Sequence, residues 1–467
     1  MVFSSIPFLF FLLVLFLLIY SAVPKNIKNY VLLAFSLIFY AWGEPVYIVL
    51  MIIETFSDYL VGRVMVRADG AKRKLLLTWS LLVDLGVLGF FKYADFLTGT
   101  INSVFNTDIK KLELALPVGI SFFTFQSLSY VIDLYKREIE AEKSYINYLT
   151  YVSMFPQLVA GPIVRYSTVS REIKDRNVSM DDFCQGFMRF LRGLFKKVLL
   201  ANQAGQIFDA ISAGIGSASV LSAWLGAVAF TFQIYFDFSG YSDMAIGLGR
   251  MMGFHFDENF KHPLASKSVT DFWRRWHISL SSWFRNYVYI PLGGNRVSAI
   301  KNIRNIFVVW ALTGLWHGAS WNFVIWGLYY AVLLILEKRV YGKLVDKMPA
   351  LIGHIYSFII VTVGFVIFSK TDFTELTVYL KTMFGFGEGQ MLSRDIIWYL
   401  KNNAAVLALC CLFSFPLYRT VKEKLQSFNT GQYLMAILTP VIYVLLFMLS
   451  VAGIVNDSYN PFLYFRF

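Results

Sequence analysis

Apolar runs recur from one end of this chain to the other, most of them close to the ~20 residues a helix needs to cross a bilayer's hydrocarbon core. Ile6 to Ala22, Leu75 to Phe91, Val220 to Phe238, Leu351 to Phe368 and Leu434 to Ile454 are examples. No other feature narrows the fold as much, because backbone amides in lipid must be satisfied by helices or by a closed barrel. The alternating pattern of a membrane barrel is absent. Composition agrees: of 467 residues, 57% are hydrophobic and 15% charged, against roughly 25% charged in soluble domains. Mean hydropathy is +0.57. The expectation is an all-α, polytopic integral membrane protein, read as a single domain over 1–467.

The N-terminal Met-Val-Phe-Ser-Ser has no basic residue before the apolar run starting at Ile6, so that run reads as an uncleaved first span. Tyr30 to Ala41 and Val46 to Val61 read as two short spans hinged at Gly43-Glu44-Pro45. Arg63, Arg67, Lys72, Arg73 and Lys74 then form the strongest positive-inside signal of the N-terminal half. They put that loop in the cytoplasm and, three crossings back, the N-terminus outside. Leu114 to Ile132 and Tyr145 to Val159 are further apolar runs. Pro156 and Pro162 bracket a stretch too interrupted for a continuous helix, which suits a re-entrant segment. Phe187 to Ala201 carries Arg189, Arg192, Lys196 and Lys197 among Phe and Leu, the pattern of a helix lying in the interface. Residues 250 to 304 are the most polar. Spans resume at Ile306 to Ala319, Phe323 to Leu336, Leu351 to Phe368, Trp398 to Phe415 and Leu434 to Ile454, for about eleven crossings in all.

The net charge of +12 does not point to nucleic acid, since Lys and Arg fall between spans rather than in a stripe. Contact with anionic headgroups accounts for most of it, and holding an anionic acyl carrier is compatible for some. Cys184, Cys410 and Cys411 form no framework and read as packing residues. No two histidines have close metal-ligand spacing, so a metal site is not expected.

Ionisable groups inside membrane segments are costly, which makes them functional candidates. His317 lies within an apolar run between Gly314 and Gly318, where the glycines would let another backbone or a thin acyl chain approach the imidazole. A structural histidine bonded to a neighbouring helix fits that position equally well. His277 follows Asp271-Phe-Trp-Arg-Arg-Trp. In a continuous helix it would share one face with Trp273, Trp276, Leu280 and Phe284. A satisfied core histidine is the commoner meaning of such a pattern. His255, His262 and His354 lack comparable settings. Asp58, Asp84, Asp133, Asp237 and Asp243 lie near apolar runs, where helix capping or an interhelical hydrogen bond is the default reading. The chain has no serine-nucleophile elbow, phosphate-binding loop or dinucleotide fingerprint.

Seven stretches, in order along almost the whole chain, resemble the membrane-bound O-acyltransferase family, in particular its alginate O-acetyltransferase-like branch. They are Leu116-Pro-Val-Gly-Ile-Ser-Phe-Phe-Thr-Phe-Gln126, Phe155-Pro-Gln-Leu-Val-Ala-Gly-Pro-Ile163 and Phe236-Asp-Phe-Ser-Gly-Tyr-Ser-Asp243. Asp271-Phe-Trp-Arg-Arg-Trp-His-Ile-Ser-Leu-Ser281, Tyr289-Ile-Pro-Leu-Gly-Gly-Asn-Arg296, Gly314-Leu-Trp-His-Gly318 and Asn460-Pro-Phe-Leu-Tyr-Phe-Arg-Phe467 complete the set. No single stretch decides; the ordered set does.

The resemblance implies helices ringing a thin central floor, with His317 as the family's active-site histidine reached through a tunnel, and His277 as the second catalytic position. It implies acetyl-CoA as cytoplasmic donor, with Arg274, Arg275, Arg285 and Lys261 able to meet its phosphates, although headgroup contact would explain these four equally. It further implies an acceptor polysaccharide outside the cytoplasmic membrane of a bacterium, with a separate extracytoplasmic transferase completing the ester. The family commonly reads Trp-x-Arg-Asp-Tyr where this chain has Trp283-Phe-Arg-Asn286-Tyr287, and an amide there supplies no charge. D-alanyl transfer, lipid or protein acylation, and a proton-coupled transporter or flippase are the alternatives.

Overall fold

A computed structural model describes residues 1–159, 161–456 and 462–463. Among them every regular element is helical, as expected for backbone groups that must pair within their own segment. Five helices are long and apolar enough to cross a membrane: Gly70–Phe105, Val220–Met251, Ala350–Ser369, Arg394–Ser414 and Gly431–Asn456. Other expected spans fold as shorter or more polar helices, such as Lys28–Gly43 and Trp321–Leu336, each of 16 residues. Five are clearly apolar and the others less so, which fits an all-α polytopic membrane protein.

The chain forms two compact units, interleaved along the sequence. The first comprises Met1–Phe190, Ser242–Glu258 and Arg285–Tyr287. Phe3, Phe8, Phe16, Phe39 and Phe155 make its aromatic centre, with ring centroids 4.8 to 6.3 Å apart. Leu114 to Ile132, read from sequence as one run, becomes helical only at Ile120. Gly119 sits at φ +80°, and a Cβ there would stand 2.6 Å from the Leu158 carbonyl oxygen. Only glycine allows this close, left-handed entry into the helix. The apolar run from Tyr145 to Val159 likewise breaks after Ser153, and Phe155–Leu158 is a separate short helix. That interruption agrees with the expected break at the prolines, of which the stretch's Ala160 lies outside the described residues.

Several basic and acidic groups in this unit are bonded within the fold, whereas neither oxygen of buried Asp84 meets a hydrogen-bonding partner among the described residues. Arg73, expected as a loop charge, is buried; its guanidinium donates to the carbonyls of Met65, Ala68, Leu134 and Tyr135. It thereby satisfies orphan carbonyls where the Ile48–Met65 and Ile120–Lys136 helices end, the position at which a cation is favoured. Asp58 accepts from Ser80 Oγ at 2.5 Å, Asp133 from Tyr287 Oη at 2.8 Å and Asp243 from Arg189 at 2.9 Å. These are the interhelical bonds expected as the default for membrane carboxylates.

The second unit comprises Leu191–Tyr241, Asn259–Phe284 and Val288–Phe467. Its core runs through Phe208, Phe230, Phe272, Trp326, Tyr330 and Phe365. Here Lys197 is buried and paired with Asp237 at 2.6 Å. The expectation that Lys197 lies on an interfacial helix is therefore corrected. The Met180–Phe195 helix continues through a π-helical stretch at Lys196–Ala201 into Asn202–Ala213, and an internal carboxylate offsets the cost of taking the ammonium out of water. The C-terminal stretch that resembles the family is described only at Phe462 and Leu463. Leu463 N donates to the other oxygen of Asp237 at 2.7 Å. Asn460, Pro461 and Tyr464–Phe467 lie outside the described residues.

Candidate active site

The Ala299–His317 helix ends on His317 itself, and Trp321–Leu336 packs back against it after a three-residue turn. Glycines make that packing close. A Cβ on Gly314 would stand 2.3 Å from the Phe323 carbonyl oxygen, one on Gly327 2.3 Å from that of Trp310, and one on Gly318 2.1 Å from the Phe323 ring. Gly314 and Gly318 thus admit a neighbouring helix and its aromatic side chain; of the two approaches expected there, the structure shows that of another backbone. The consequence for His317 is rigidity. Its imidazole is buried, edge-on to Trp316 and Trp326 with centroids 5.0 Å away and to Phe368 at 5.3 Å.

His277 reaches the same place from a different segment of the same unit. The sequence pattern suggests one helix through Asp271–Arg285. Instead Val269–Arg275 stops, Trp276 is extended, His277 adopts φ +45°, and a new helix runs over Ile278–Phe284. The first helix is capped by Ser268, whose hydroxyl accepts from Asp271 N. The break has a local cause. Ile278 N donates to the Asn259 carbonyl at 3.0 Å, and Lys261 N to that of Arg275 at 3.0 Å, so the 259–261 segment takes backbone groups a continuous helix would use. Trp273, Trp276, His277, Leu280 and Phe284 are all buried, though not as one helical face.

The two imidazole centroids are 6.5 Å apart. Phe238 lies edge-on to His277 at 4.7 Å and Trp316 at 5.8 Å. His277 is outside the five long apolar helices, and burial pushes its pKa down to about 3, so the ring is neutral. A neutral imidazole carries one N–H donor and one basic nitrogen, which lets it accept a proton and pass one on. Such a ring beside a second imidazole in an aromatic enclosure can move protons, and no group of three or more histidine, cysteine or carboxylate ligands that could hold a metal occurs among the described residues.

The basic residues differ in exposure and pairing. Arg274 and Lys261 are exposed in the same unit as the histidines. Arg275 pairs with Asp271 at 2.8 Å, one helical turn away. Arg285 is exposed and belongs to the first unit. His255 pairs with Glu172 at 2.7 Å, and His354 Nδ1 lies 3.1 Å from the Ser266 carbonyl, which leaves both in supporting roles. Sequence reasoning did not find Asn259, the polar neighbour of His277, because 18 residues and no periodic pattern separate them. It also did not find the aromatic enclosure from Phe238, Trp326 and Phe368, whose parts come from three different helices.

A helical membrane protein with two buried imidazoles facing each other across aromatic walls is the class these features define. Comparison with known proteins is more specific. The sequence profile of the MBOAT, membrane-bound O-acyltransferase family matches residues 136–371. The chain is 39% identical over 490 residues to "Probable alginate O-acetylase AlgI" of Pseudomonas putida, with all of both chains covered. It is 33% identical to "Peptidoglycan O-acetyltransferase" of Helicobacter pylori, covering 86% of this chain and 82% of that protein. It is 30% identical to "Teichoic acid D-alanyltransferase" of Bacillus subtilis, covering 55% and 69%. The chain belongs to the membrane-bound O-acyltransferase family and is an O-acyltransferase.

Proposed function

We propose that this protein takes acetyl from acetyl-CoA on the cytoplasmic side of a bacterial inner membrane and passes it toward hydroxyls of an extracytoplasmic polysaccharide. In this reading a separate extracytoplasmic transferase completes the sugar ester, the N-terminus faces outward, and a passage leads to His317. The observation that carries it is the pair of buried imidazoles 6.5 Å apart. Full-length similarity to an alginate O-acetylase, against 55% coverage with a D-alanyltransferase, favours acetyl over D-alanyl.

The chemistry is an acyl exchange. An acceptor hydroxyl oxygen attacks the thioester carbonyl carbon; the new C–O bond forms and the C–S bond breaks. The hydroxyl proton passes to an imidazole and from there to the departing thiolate, leaving an ester and a free thiol. His317 takes the hydroxyl proton, and His277 shares or orients that transfer. General acid–base catalysis of this kind contributes about 10²- to 10⁴-fold. Arg274 and Lys261 are suited to the donor's phosphates because they are exposed. Arg285 is exposed too, whereas Arg275 is a weaker candidate because Asp271 holds it.

His317→Ala in the native organism is expected to abolish acetyl ester on the envelope glycan while the protein still accumulates in the membrane. Normal ester content in that strain overturns the assignment. Unchanged ester in a deletion strain, with altered glycan export, would instead support a transporter.

A further inference from the structure

Asn259 holds His277 through a set of hydrogen bonds whose directions leave one arrangement of protons. The Asn259 side chain is fully buried. Its Oδ1 faces three groups: Ser279 N at 3.2 Å, Ser279 Oγ at 2.9 Å and His277 Nδ1 at 3.1 Å. Ser279 N belongs to the backbone and can only donate, so the asparagine atom facing it is the oxygen; the flipped amide would oppose two N–H groups. An oxygen 3.1 Å from Nδ1 then requires the proton to be on Nδ1, because two acceptors at that distance repel. The basic lone pair consequently falls on Nε2. Nε2 is buried and meets no protein hydrogen-bonding partner among the described residues.

The backbone reinforces this. His277 sits at φ +45°, a left-handed conformation that costs a non-glycine residue roughly 1–3 kcal/mol, and the bond from Ile278 N to the Asn259 carbonyl holds the chain there. Residue type matters as well. A carboxylate at this position would also fix the ring, but it would favour the imidazolium. The amide orients the ring without adding charge.

We propose that Asn259 is a positioning residue that fixes His277 as the Nδ1–H tautomer and so aims the Nε2 lone pair at the acyl-transfer centre. The proposal rests on the acyl-transfer reading above, and its test separates the two. Purified full-length protein in lipid nanodiscs, labelled with ¹⁵N-histidine and assigned by difference against His277→Gln, reports the tautomer directly. The expected spectrum has a protonated Nδ1 and a bare Nε2 at position 277 in the wild type, and mixed tautomers in Asn259→Leu. In acetyl transfer from acetyl-CoA to a soluble hydroxyl acceptor, Asn259→Leu is expected to lose about 10²-fold or more in kcat with a smaller change in KM. Asn259→Asp, which keeps every acceptor position, retains the tautomer but moves the acid limb of the kcat profile upward by about one pH unit or more. A merely structural asparagine would leave that limb in place. The proposal is overturned by a bare Nδ1 in the wild type, by a folded Asn259→Leu protein with wild-type kcat, or by an unmoved acid limb in Asn259→Asp. If Asn259→Leu does not fold, the aspartate variant decides. If the wild type transfers no acetyl, the function proposed above falls, while the nitrogen signals still decide the tautomer.

Discussion

Single residues here gain their meaning from what burial does to polar groups. Lys197 and Asp237 are nearly fully enclosed, and each is tolerable only because of the other. Lys197→Met would leave the Asp237 carboxylate buried without its cation, with a cost of about 3–5 kcal/mol. Thermal unfolding in detergent, followed by loss of the monodisperse species, is expected to show a large drop in Tm for this variant. Adding Asp237→Asn removes the charge but keeps an acceptor for Leu463 N, so the double variant is expected to recover most of that loss. A double variant no more stable than the single one would mean that the ammonium contributes by something other than pairing. His317 is packed edge-on against the rings of Trp316, Trp326 and Phe368.

At the scale of elements, the pairing of Ala299–His317 with Trp321–Leu336 sets where His317 stands. Gly327 tests that pairing away from the histidine, with its missing Cβ only 2.3 Å from a backbone oxygen that no side-chain rotation can move. Gly327→Val is expected to force the helices apart at a cost of about 1–3 kcal/mol or more, and to lower acetyl transfer because the His317 end of the helix shifts. Gly86→Ala is the matched control. A Cβ there meets nothing within 4 Å, so stability should stay within about 1 kcal/mol of the parent. Equal losses of Tm in the two variants would remove the argument that close helix approach, rather than glycine itself, matters at Gly327. The break at His277 belongs to the same scale: two seven-residue helices meet at a left-handed residue, an arrangement a longer amphipathic helix would not allow.

For the whole molecule, the basic residues from Arg63 to Lys74, where one helix ends and the next begins, set the expected orientation. In a background without Cys184, Cys410 and Cys411, Arg67→Cys should react with a membrane-impermeant maleimide only when the cytoplasmic side is accessible. Arg67 suits the test because it is exposed, whereas Arg73 is occupied with four carbonyls. Labelling from the outside of intact cells would reverse the orientation and with it the proposed side for acetyl-CoA. The sequence alone determined that the chain is helical and membrane-embedded, since run length and charge content are local properties that lipid translates directly into helices. The ordered motifs that resemble the family singled out His317 and His277; the residue pattern by itself left the first equally a structural histidine and the second more commonly a core one. Only the tertiary structure decided that Arg73 caps two helices, that Gly314 and Gly318 make room for a helix, and that Asn259 governs His277. Each of those depends on atoms brought together by packing, some from 18 residues apart and others, as with Asp237 and Leu463, from 226. No local pattern of hydrophobic spacing carries that information.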